Sequence, residues 1–102
     1  MSKKSFVDEI SELLKILSHP IRLKILALCS RREFTSRELR ETLDISKPLL
    51  IAHLKKLVTG GFLEYRVELD NEKMIIRKFY KTKDFRVCID KEIIEKMSKS
   101  IK

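Results

Sequence analysis

The first half of the chain repeats apolar residues every three or four positions, which is the spacing of one buried face of an α-helix. This periodicity predicts three helices over about residues 6–17, 19–32 and 35–43. Ser5 and Thr35 stand at the N-cap positions of the first and third helices, and each has an acidic residue three positions later, as in a capping box. Phe34 is predicted to lie on a very short strand.

The fourth predicted helix is the most strongly specified element of the chain. Ser46 is its predicted N-cap, and Pro48 lies in its first turn, where proline is well tolerated. Gly60 and Gly61 follow its last apolar position and permit a left-handed exit. Its narrow apolar face is formed by Leu50, Leu54 and Leu57. The residues predicted to point away from that face are Lys47, Pro48, Ile51, Ala52, Lys55 and Lys56.

After the glycines the period of the apolar positions changes to two, which indicates β-strands. Residues 63–69 alternate between apolar and charged side chains, residues 70–73 are predicted to form a turn, and residues 74–80 the return strand. Two short helices joined by a tight turn and followed by a hairpin predict a winged helix-turn-helix, mainly α with a small β-hairpin wing. The length indicates one domain, residues 1–102. Such a module usually docks its second helix in a DNA major groove.

The chain is predicted to end in a further helix that Asp90 caps and that reaches about Ile101. Phe85, Val87 and Ile89 alternate just before it and predict a short extended segment. The first and last helices together carry more apolar surface than one small domain needs for its own core, so we expect them to form a homodimer interface. The predicted interface residues are Phe6, Val7, Ile10, Leu14, Ile93, Ile94, Met97 and Ile101.

Composition narrows the class of partner. The net charge is +8, from 23 Lys and Arg against 15 Asp and Glu, which favours a polyanion such as nucleic acid or an acidic membrane surface. No apolar run approaches the roughly 20 residues of a membrane span, so a cytoplasmic protein without a membrane partner is expected. Gln is absent, Asn71 is the only Asn, and 37% of the residues are charged, a bias typical of hyperthermophile proteins.

Two stretches resemble regulators of the ArsR family. The pattern Leu-x-x-Pro-x-Arg-x-x-Ile-Leu, which that family often shows in its second helix, occurs at residues 17–26. The residues that resemble its recognition helix and the start of its wing are Ser46, Pro48, His53-Leu54-Lys55, Leu57 and Gly61-Phe62-Leu63. The resemblance covers roughly residues 10–82. It implies a winged helix-turn-helix that binds DNA, usually as a homodimer built by the first and last helices.

This sequence departs from the family pattern in two places. Metal-sensing members carry a cysteine pair in the first helix of the motif, or His and Asp clusters in the last helix. Here residues 37–43 contain no cysteine and the last helix contains no histidine, so we expect neither a metal nor a cofactor. Members also tend to have Ser or Thr and His or Arg where this chain has Leu49, Ile51 and Ala52. These side chains can touch thymine methyls but form few hydrogen bonds, so base reading is expected to be weak or to depend on AT-rich shape.

Double-stranded DNA is the predicted partner, and the basic residues of the motif and the hairpin are the predicted contacts. Carboxylates on the predicted hairpin partly neutralise the positive charge of its Arg and Lys residues. The alternative is a winged-helix interaction module whose basic face meets protein or RNA, although such modules usually lose the outward lysines that this chain keeps. The predicted DNA-binding residues are Arg37, Arg40, Ser46, Lys47, Pro48, Ile51, Ala52, Lys55, Lys56, Arg66, Lys73, Arg77 and Lys78.

The remaining chemistry-bearing residues favour structural roles. His19 and His53 are far apart in sequence, which argues against a shared metal. No Ser/His/Asp or Cys/His arrangement presents a nucleophile, so the chain is not expected to be an enzyme. Cys29 and Cys88 are both flanked by apolar residues and are expected to be buried thiols. A disulfide between them, within or between chains, is the alternative if the source is a hyperthermophile.

Overall fold

The fold was analysed in a computed structural model that describes residues 4–101. Over these residues the elements, in chain order, are α1 Phe6–Leu17, α2 Pro20–Arg31, β1 Phe34–Thr35, α3 Ser36–Leu43, α4 Lys47–Thr59, β2 Leu63–Asp70, β3 Ile75–Thr82 and α5 Lys91–Lys99. This is a helix-turn-helix followed by a β-hairpin, flanked by one helix at each end. The predicted winged helix-turn-helix is therefore confirmed, as are the first four helices and the very short strand at Phe34.

The predicted capping boxes form. Ser5 Oγ accepts a hydrogen bond from the backbone N–H of Asp8 at 3.2 Å, and the Asp8 carboxylate accepts one from the Ser5 N–H at 3.4 Å. Thr35 and Glu38 form the same reciprocal pair at the start of α3. Hydrogen bonding from Thr35 and from Arg32 holds the pKa of Glu38 below its usual range. These bonds satisfy N–H groups that a helix start leaves without partners.

Two turns position α4. Asp44 adopts a left-handed conformation with φ 51° between α3 and α4, which Asp tolerates better than most residues. At the other end only Gly61 is left-handed, with φ +85°, whereas Gly60 has φ −74°, so the expected left-handed exit applies to one glycine of the two. At Gly60 the constraint is steric instead, because there is no room for a side chain. A Cβ there would lie 2.9 Å from Ile16 Cδ1 and 3.1 Å from the Lys56 carbonyl oxygen.

The three strands form one antiparallel sheet in the order β1-β3-β2. Tyr80 is the centre of this sheet, because it pairs with Phe34 on one side and with Tyr65 on the other. The Thr82 hydroxyl donates a hydrogen bond to the Leu26 carbonyl at 2.7 Å, which joins the base of the hairpin to α2. The return strand begins at Ile75, one residue later than predicted, because Met74 has φ 54° and belongs to the turn.

One apolar core lies between α2, α3, α4 and the base of the sheet. Partly buried side chains of α1 pack against its edge. Its members are Ile25, Leu26, Cys29, Phe34, Leu39, Leu50, Leu54, Leu57, Phe62, Leu63 and Tyr80. The outer halves of β2 and β3 contribute nothing to this core, so the hairpin projects from the body as a wing.

The C-terminal part differs from expectation in its details. Asp90 caps α5 through a 2.9 Å hydrogen bond from the Ile93 N–H to its carboxylate, as predicted. The helix ends at Lys99, two residues short of the predicted end at about Ile101, and Ile101 is 69% exposed. Residues 83–90 form neither strand nor helix. Phe85 packs edge-on against Phe62, with ring centroids 4.8 Å apart.

The molecule is extended for its size. Its dimensions are 60 × 29 × 24 Å and its radius of gyration is 17.0 Å, whereas a compact domain of 100 residues has about 13 Å. The chain exposes 8039 Å², against about 6,000 Å² for a compact monomer of 12.1 kDa. The excess reflects the projecting hairpin and the terminal helices, since neither α1 nor α5 buries any residue fully.

Candidate nucleic-acid interface

The fourth helix presents a basic face to solvent. Its opposite face is held in the core by Leu50, His53, Leu54 and Leu57, which are all buried. Ser46 begins the helix, and its Oγ accepts a hydrogen bond from the Leu49 N–H at 3.4 Å. The residues predicted to point outward are all exposed: Lys47, Pro48, Ile51, Ala52, Lys55 and Lys56. A helix with one face anchored and lysines on the other can enter a groove of DNA as a rigid unit.

The hairpin has two chemically different faces, because side chains alternate along each strand. The face that we call the inner face is turned toward α4 and is largely apolar; it consists of Tyr65, Val67, Leu69, Ile76, Lys78 and Tyr80. The outer face is mostly charged; it consists of Glu64, Arg66, Glu68, Asp70, Ile75, Arg77, Phe79 and Lys81. The predicted wing contacts therefore separate, with Lys78 on the inner face and Arg66 and Arg77 on the outer face.

The inner face and α4 enclose an open groove of about 440 Å³, here called the α4–hairpin groove. Lys47, Ile51 and Lys55 lie along its α4 wall at four-residue intervals. Lys78 lies on the opposite wall, with its Nζ 4.7 Å from the centroid of the Tyr65 ring, a distance typical of a cation–π contact. The complete lining is Ser36, Lys47, Leu50, Ile51, Leu54, Lys55, Val58, Thr59, Tyr65, Lys78 and Tyr80.

Arg66, a predicted wing contact, is engaged within the protein. Its Nε and Nη2 donate to the two carboxylate oxygens of Glu33 at 2.7 and 3.0 Å, and its Nη1 lies 2.9 Å from Glu68 Oε1. Its guanidinium also stacks on the Phe79 ring at 4.4 Å. The pair lowers the pKa of Glu33 and raises the pKa of Arg66. Two carboxylates neutralise this guanidinium. Its main role in this structure is therefore to attach the hairpin to the body of the domain, not to present a free positive charge.

The other wing cations lie among carboxylates. Arg77 stands opposite Glu68 in the strand register and lines a shallow depression with Asp70 and Glu72. Lys73 is exposed in the turn, where its backbone N–H donates to Asp70 Oδ1 at 3.3 Å. Nearby negative charge opposes a phosphate, so this end of the hairpin is electrostatically less suited to DNA than the α4–hairpin groove.

The two arginines of α3 differ in their surroundings. Arg37 is exposed and pairs with Glu41 one turn away at 3.1 Å. Arg40 is partly buried, and its Nε has no hydrogen-bond partner within the part of the chain that the structure describes. An exposed i, i+4 pair is weak, so Arg37 remains free to exchange Glu41 for a phosphate.

A cluster that sequence reasoning missed joins α1, α2 and α4. Arg22 Nη1 donates to the carbonyls of Lys15 and Ile16 at 3.3 and 3.1 Å, and Arg22 Nε donates to His53 Nδ1 at 3.1 Å. The His19 and His53 rings lie 4.4 Å apart, although the two residues are far apart in the sequence. Burial, with the nearby charges of His19, Arg22 and Lys56, lowers the pKa of His53.

The candidate metal ligands and the two thiols lie as follows in the structure. Among residues 4–101 no group of three or more His, Cys, Asp or Glu side chains is placed to hold a metal ion. Cys29 is buried, and its burial raises the pKa of its thiol to about 12. The prediction that both cysteines are buried is wrong for Cys88, which is exposed. Cys29 and Cys88 are both free thiols in this structure, the first in the core and the second in the segment before α5.

Within the chain, α1 and α5 approach each other. Lys96 Nζ of α5 lies 5.1 Å from the centroid of the Phe6 ring of α1. The two helices line a shallow, mostly apolar hollow, here called the α1–α5 patch, whose lining is Val7, Ile10, Ser11, Leu14, Lys15, Ser18 and Met97. Of the other predicted interface residues, Ile93 is partly buried and Ile94 and Ile101 are exposed. Of the helices over residues 4–101, none has the length and apolar character needed to span a bilayer.

Comparison with known proteins places this architecture in a family. A family model described as a helix-turn-helix domain matches residues 17–66. The chain is 37% identical over 81 residues to an uncharacterized HTH-type transcriptional regulator of Methanocaldococcus jannaschii, covering 79% of this chain and 83% of that protein. The chain belongs to the ArsR-like family of winged helix-turn-helix transcriptional regulators. It is thus similar to DNA-binding regulators, and the family is not one of enzymes.

Two further matches extend the comparison of this ArsR-like regulator. It is 41% identical over 58 residues to the arsenical resistance operon repressor of Staphylococcus xylosus, covering 57% of this chain and 56% of that repressor. Its fold matches the homodimeric winged helix-turn-helix DNA-binding domain of a possible ArsR-family regulator from Mycobacterium bovis, with a TM-score of 0.63 and 20% identity over 96% of this chain and 84% of that domain. The ArsR-like regulator is a DNA-binding transcriptional regulator.

Proposed function

We propose that this ArsR-like regulator binds duplex DNA as a homodimer, with α4 of each copy in a major groove and the hairpin beside the flanking backbone. The observation that carries this proposal is the exposed basic face of α4, whose lysines stand next to Lys78 across the α4–hairpin groove. Lysines on both walls favour a polyanion that runs along the groove. The charge of +8 adds a long-range attraction to DNA.

Sequence selectivity is proposed to be modest. The N-terminal half of α4 exposes Leu49, Ile51 and Ala52 where bases would be read. These groups can contact thymine methyls but form no side-chain hydrogen bonds to base edges. Lys47 is the residue nearest the start of α4 that can donate to guanine. Preference for AT-rich shape would then supply part of the discrimination between DNA sites.

Dimerisation is proposed to occur through the α1–α5 patch. Val7, Ile10 and Leu14 lie on α1 beside Met97 of α5, and the surface of the single chain exceeds that of a compact monomer by roughly a third. A two-fold contact would remove this apolar surface from water. It would also present two copies of α4 at a spacing suited to successive major grooves, about 34 Å apart. Because genomic DNA is the proposed partner, we infer a cytoplasmic protein. We also propose that it needs no metal and has no enzymatic activity.

The test is capture of genomic fragments on the purified protein, followed by binding measurements on the recovered site and a scrambled duplex. If two copies together contact six phosphates, the slope of log affinity against log salt should be roughly −5. Recovery of a palindromic site with a steep slope supports the proposal. An affinity for duplex that stays flat between about 50 and 200 mM salt contradicts it. Tighter binding to RNA than to any duplex would favour the interaction-module alternative.

A further inference from the structure

The α4–hairpin groove has a floor and a rim of different chemistry. Leu54 and Tyr80 are buried and Val58 is partly buried among its lining residues, and together with the Tyr65 ring they form what we call its floor. Three lysines stand at its rim, two on α4 and Lys78 on β3. No carboxylate is among the described residues that line it. The groove thus combines an apolar surface with unopposed positive charge on both walls.

We propose that this groove binds a small amphipathic organic anion, a carboxylate with an apolar tail. The tail would lie on the leucine, valine and tyrosine side chains of the floor, and the carboxylate would meet the lysine ammonium groups at the rim. The volume of about 440 Å³ falls within the range of about 300 to 1,000 Å³ typical of small-molecule sites. Charge complementarity selects an anion, and the apolar floor selects a tail over a bare inorganic ion.

The strand register makes Lys78 the key residue of this proposal. Lys78 lies on the inner face, whereas Lys81 lies on the outer face opposite Glu64. The position of Lys78 over the Tyr65 ring keeps its ammonium group beside the apolar floor. An incoming carboxylate can therefore pair with Lys78 while the tail covers Tyr65. Lys81 offers the same charge on the same strand without access to the groove, which makes it a matched control.

Occupation of the groove would compete with DNA. Lys47 and Lys55 belong both to the groove and to the exposed face of α4, so an anion that engages them removes charge from the DNA-binding surface. Coupling between two ligands is reciprocal, and DNA should weaken the anion to the same degree. This competition rests on the proposed function. Binding of the anion to the DNA-free protein does not rest on it.

The protein carries its own reporter for this site. It has two tyrosines and no tryptophan, and both tyrosines line the groove. The experiment is a titration of the DNA-free protein with decanoate below its micelle concentration, followed by tyrosine emission. Decanoate is transparent at the excitation wavelength. Decan-1-ol serves as the uncharged probe of the same tail.

The expected result is a saturable change in tyrosine emission with decanoate and a much weaker one with decan-1-ol. Lys78→Ala should weaken decanoate binding about tenfold, Lys78→Arg should retain it, and Lys81→Ala should leave it unchanged. Equal responses to decanoate and decan-1-ol, or equal losses in the Lys78→Ala and Lys81→Ala variants, overturn the proposal. So does the absence of any response to decanoate.

A second arm separates this proposal from the DNA-binding function. Duplex DNA is titrated into the protein with and without saturating decanoate, by gel shift. Weaker DNA binding in decanoate supports the competitive site. Decanoate binding by a protein that fails to bind duplex supports the groove and contradicts the proposed function. If the protein binds duplex DNA but decanoate changes neither tyrosine emission nor DNA binding, the anion site is overturned and the groove serves only in DNA binding.

Discussion

Glu33 holds Arg66 in a two-pronged ion pair, with N–O distances of 2.7 and 3.0 Å. The two residues are separated by 33 positions and join the turn before β1 to the middle of β2. The contact fixes the hairpin relative to the body, while Lys78 on the opposite face of the hairpin points into the α4–hairpin groove. The orientation of the hairpin relative to the body therefore depends on Arg66, whose guanidinium is already paired with Glu33.

The first prediction concerns the salt dependence of DNA binding. Lys78→Ala should make the log–log slope shallower by about 0.9 for each copy that loses a phosphate contact. Arg66→Ala should leave this slope unchanged and instead increase amide hydrogen exchange in β2, because the ion pair with Glu33 is lost. A slope for Arg66→Ala as shallow as that for Lys78→Ala would show that Arg66 leaves Glu33 to bind phosphate.

The second prediction separates two roles along α4. Lys47→Ala or Ile51→Ala should change the ranking of base-substituted sites, by about 1–3 kcal/mol at the affected position, because residues at the start of a recognition helix lie nearest the base edges. Lys55→Ala with Lys56→Ala should weaken binding to all duplexes alike. A gel-shift series over single-base variants measures both effects. The idea that α4 reads the site fails if neither Lys47→Ala nor Ile51→Ala alters affinity or ranking.

The third prediction concerns the α1–α5 patch. Val7→Asp with Met97→Asp should give folded monomers by light scattering, because two charges in the patch cannot be buried against a second copy. Loss of the second half-site should weaken DNA binding by about 100-fold or more. Leu23→Asp, an equivalent change at an exposed position of α2, is the control and should keep both properties. An unmodified protein that is monomeric at micromolar concentration would rule out this dimer.

The fourth prediction is a dependence of stability on pH through His53. The folded protein keeps the pKa of this buried imidazole below its ordinary value of 6.5, while in the unfolded chain it protonates near that value. Once the pH falls below about 6.5, the unfolded state therefore binds more protons than the folded state. The contribution of neutral His53 to the free energy of unfolding is full above that pH, and it is lost as the pH falls toward the lower pKa of His53 in the folded protein. Urea unfolding at fixed protein concentration between about pH 7.5 and 5 should show the decline.

The matched variant for this effect is His53→Gln, whose amide oxygen can accept the hydrogen bond from Arg22 Nε without titrating. Its stability should vary less with pH over the same range than that of the unmodified protein. If the two proteins lose stability in parallel, the decline arises from other groups and His53 does not control it.

The fifth prediction concerns the end of α4. Gly61→Ala should destabilise the fold by about 1 kcal/mol or more, since alanine is strained at a φ of +85°. Alanine at this position meets no neighbouring atom, so the cost is conformational alone. Gly61→Asn should cost less, because asparagine tolerates left-handed angles better. A lower unfolding temperature for the Gly61→Asn variant than for the Gly61→Ala variant would contradict this account.

Much of the fold was predictable because it is specified locally. The caps at Ser5, Thr35 and Ser46 satisfy N–H groups within three residues, and they form as expected. Leu50, Leu54 and Leu57 are buried because helical spacing puts them on one face. The strand at residues 63–70 follows from the alternation of apolar and charged residues. In each case the decisive interactions lie within a few positions of the sequence, so no knowledge of the rest of the chain was needed.

The distribution of roles within the candidate site was decided only by the tertiary structure. The sequence could not show that Arg66 and Lys78 have different roles. Which face of the hairpin turns toward α4 and which toward Glu33 depends on how the hairpin packs on the body. The sequence could not bring His19 against His53, because that contact depends on how α2 crosses α4. Apolar neighbours of Cys88 predicted burial, yet the thiol is exposed, because flanking residues alone do not decide which side of a segment the rest of the fold covers. Local interactions determine the elements, and long-range packing determines which side chains they present to a partner.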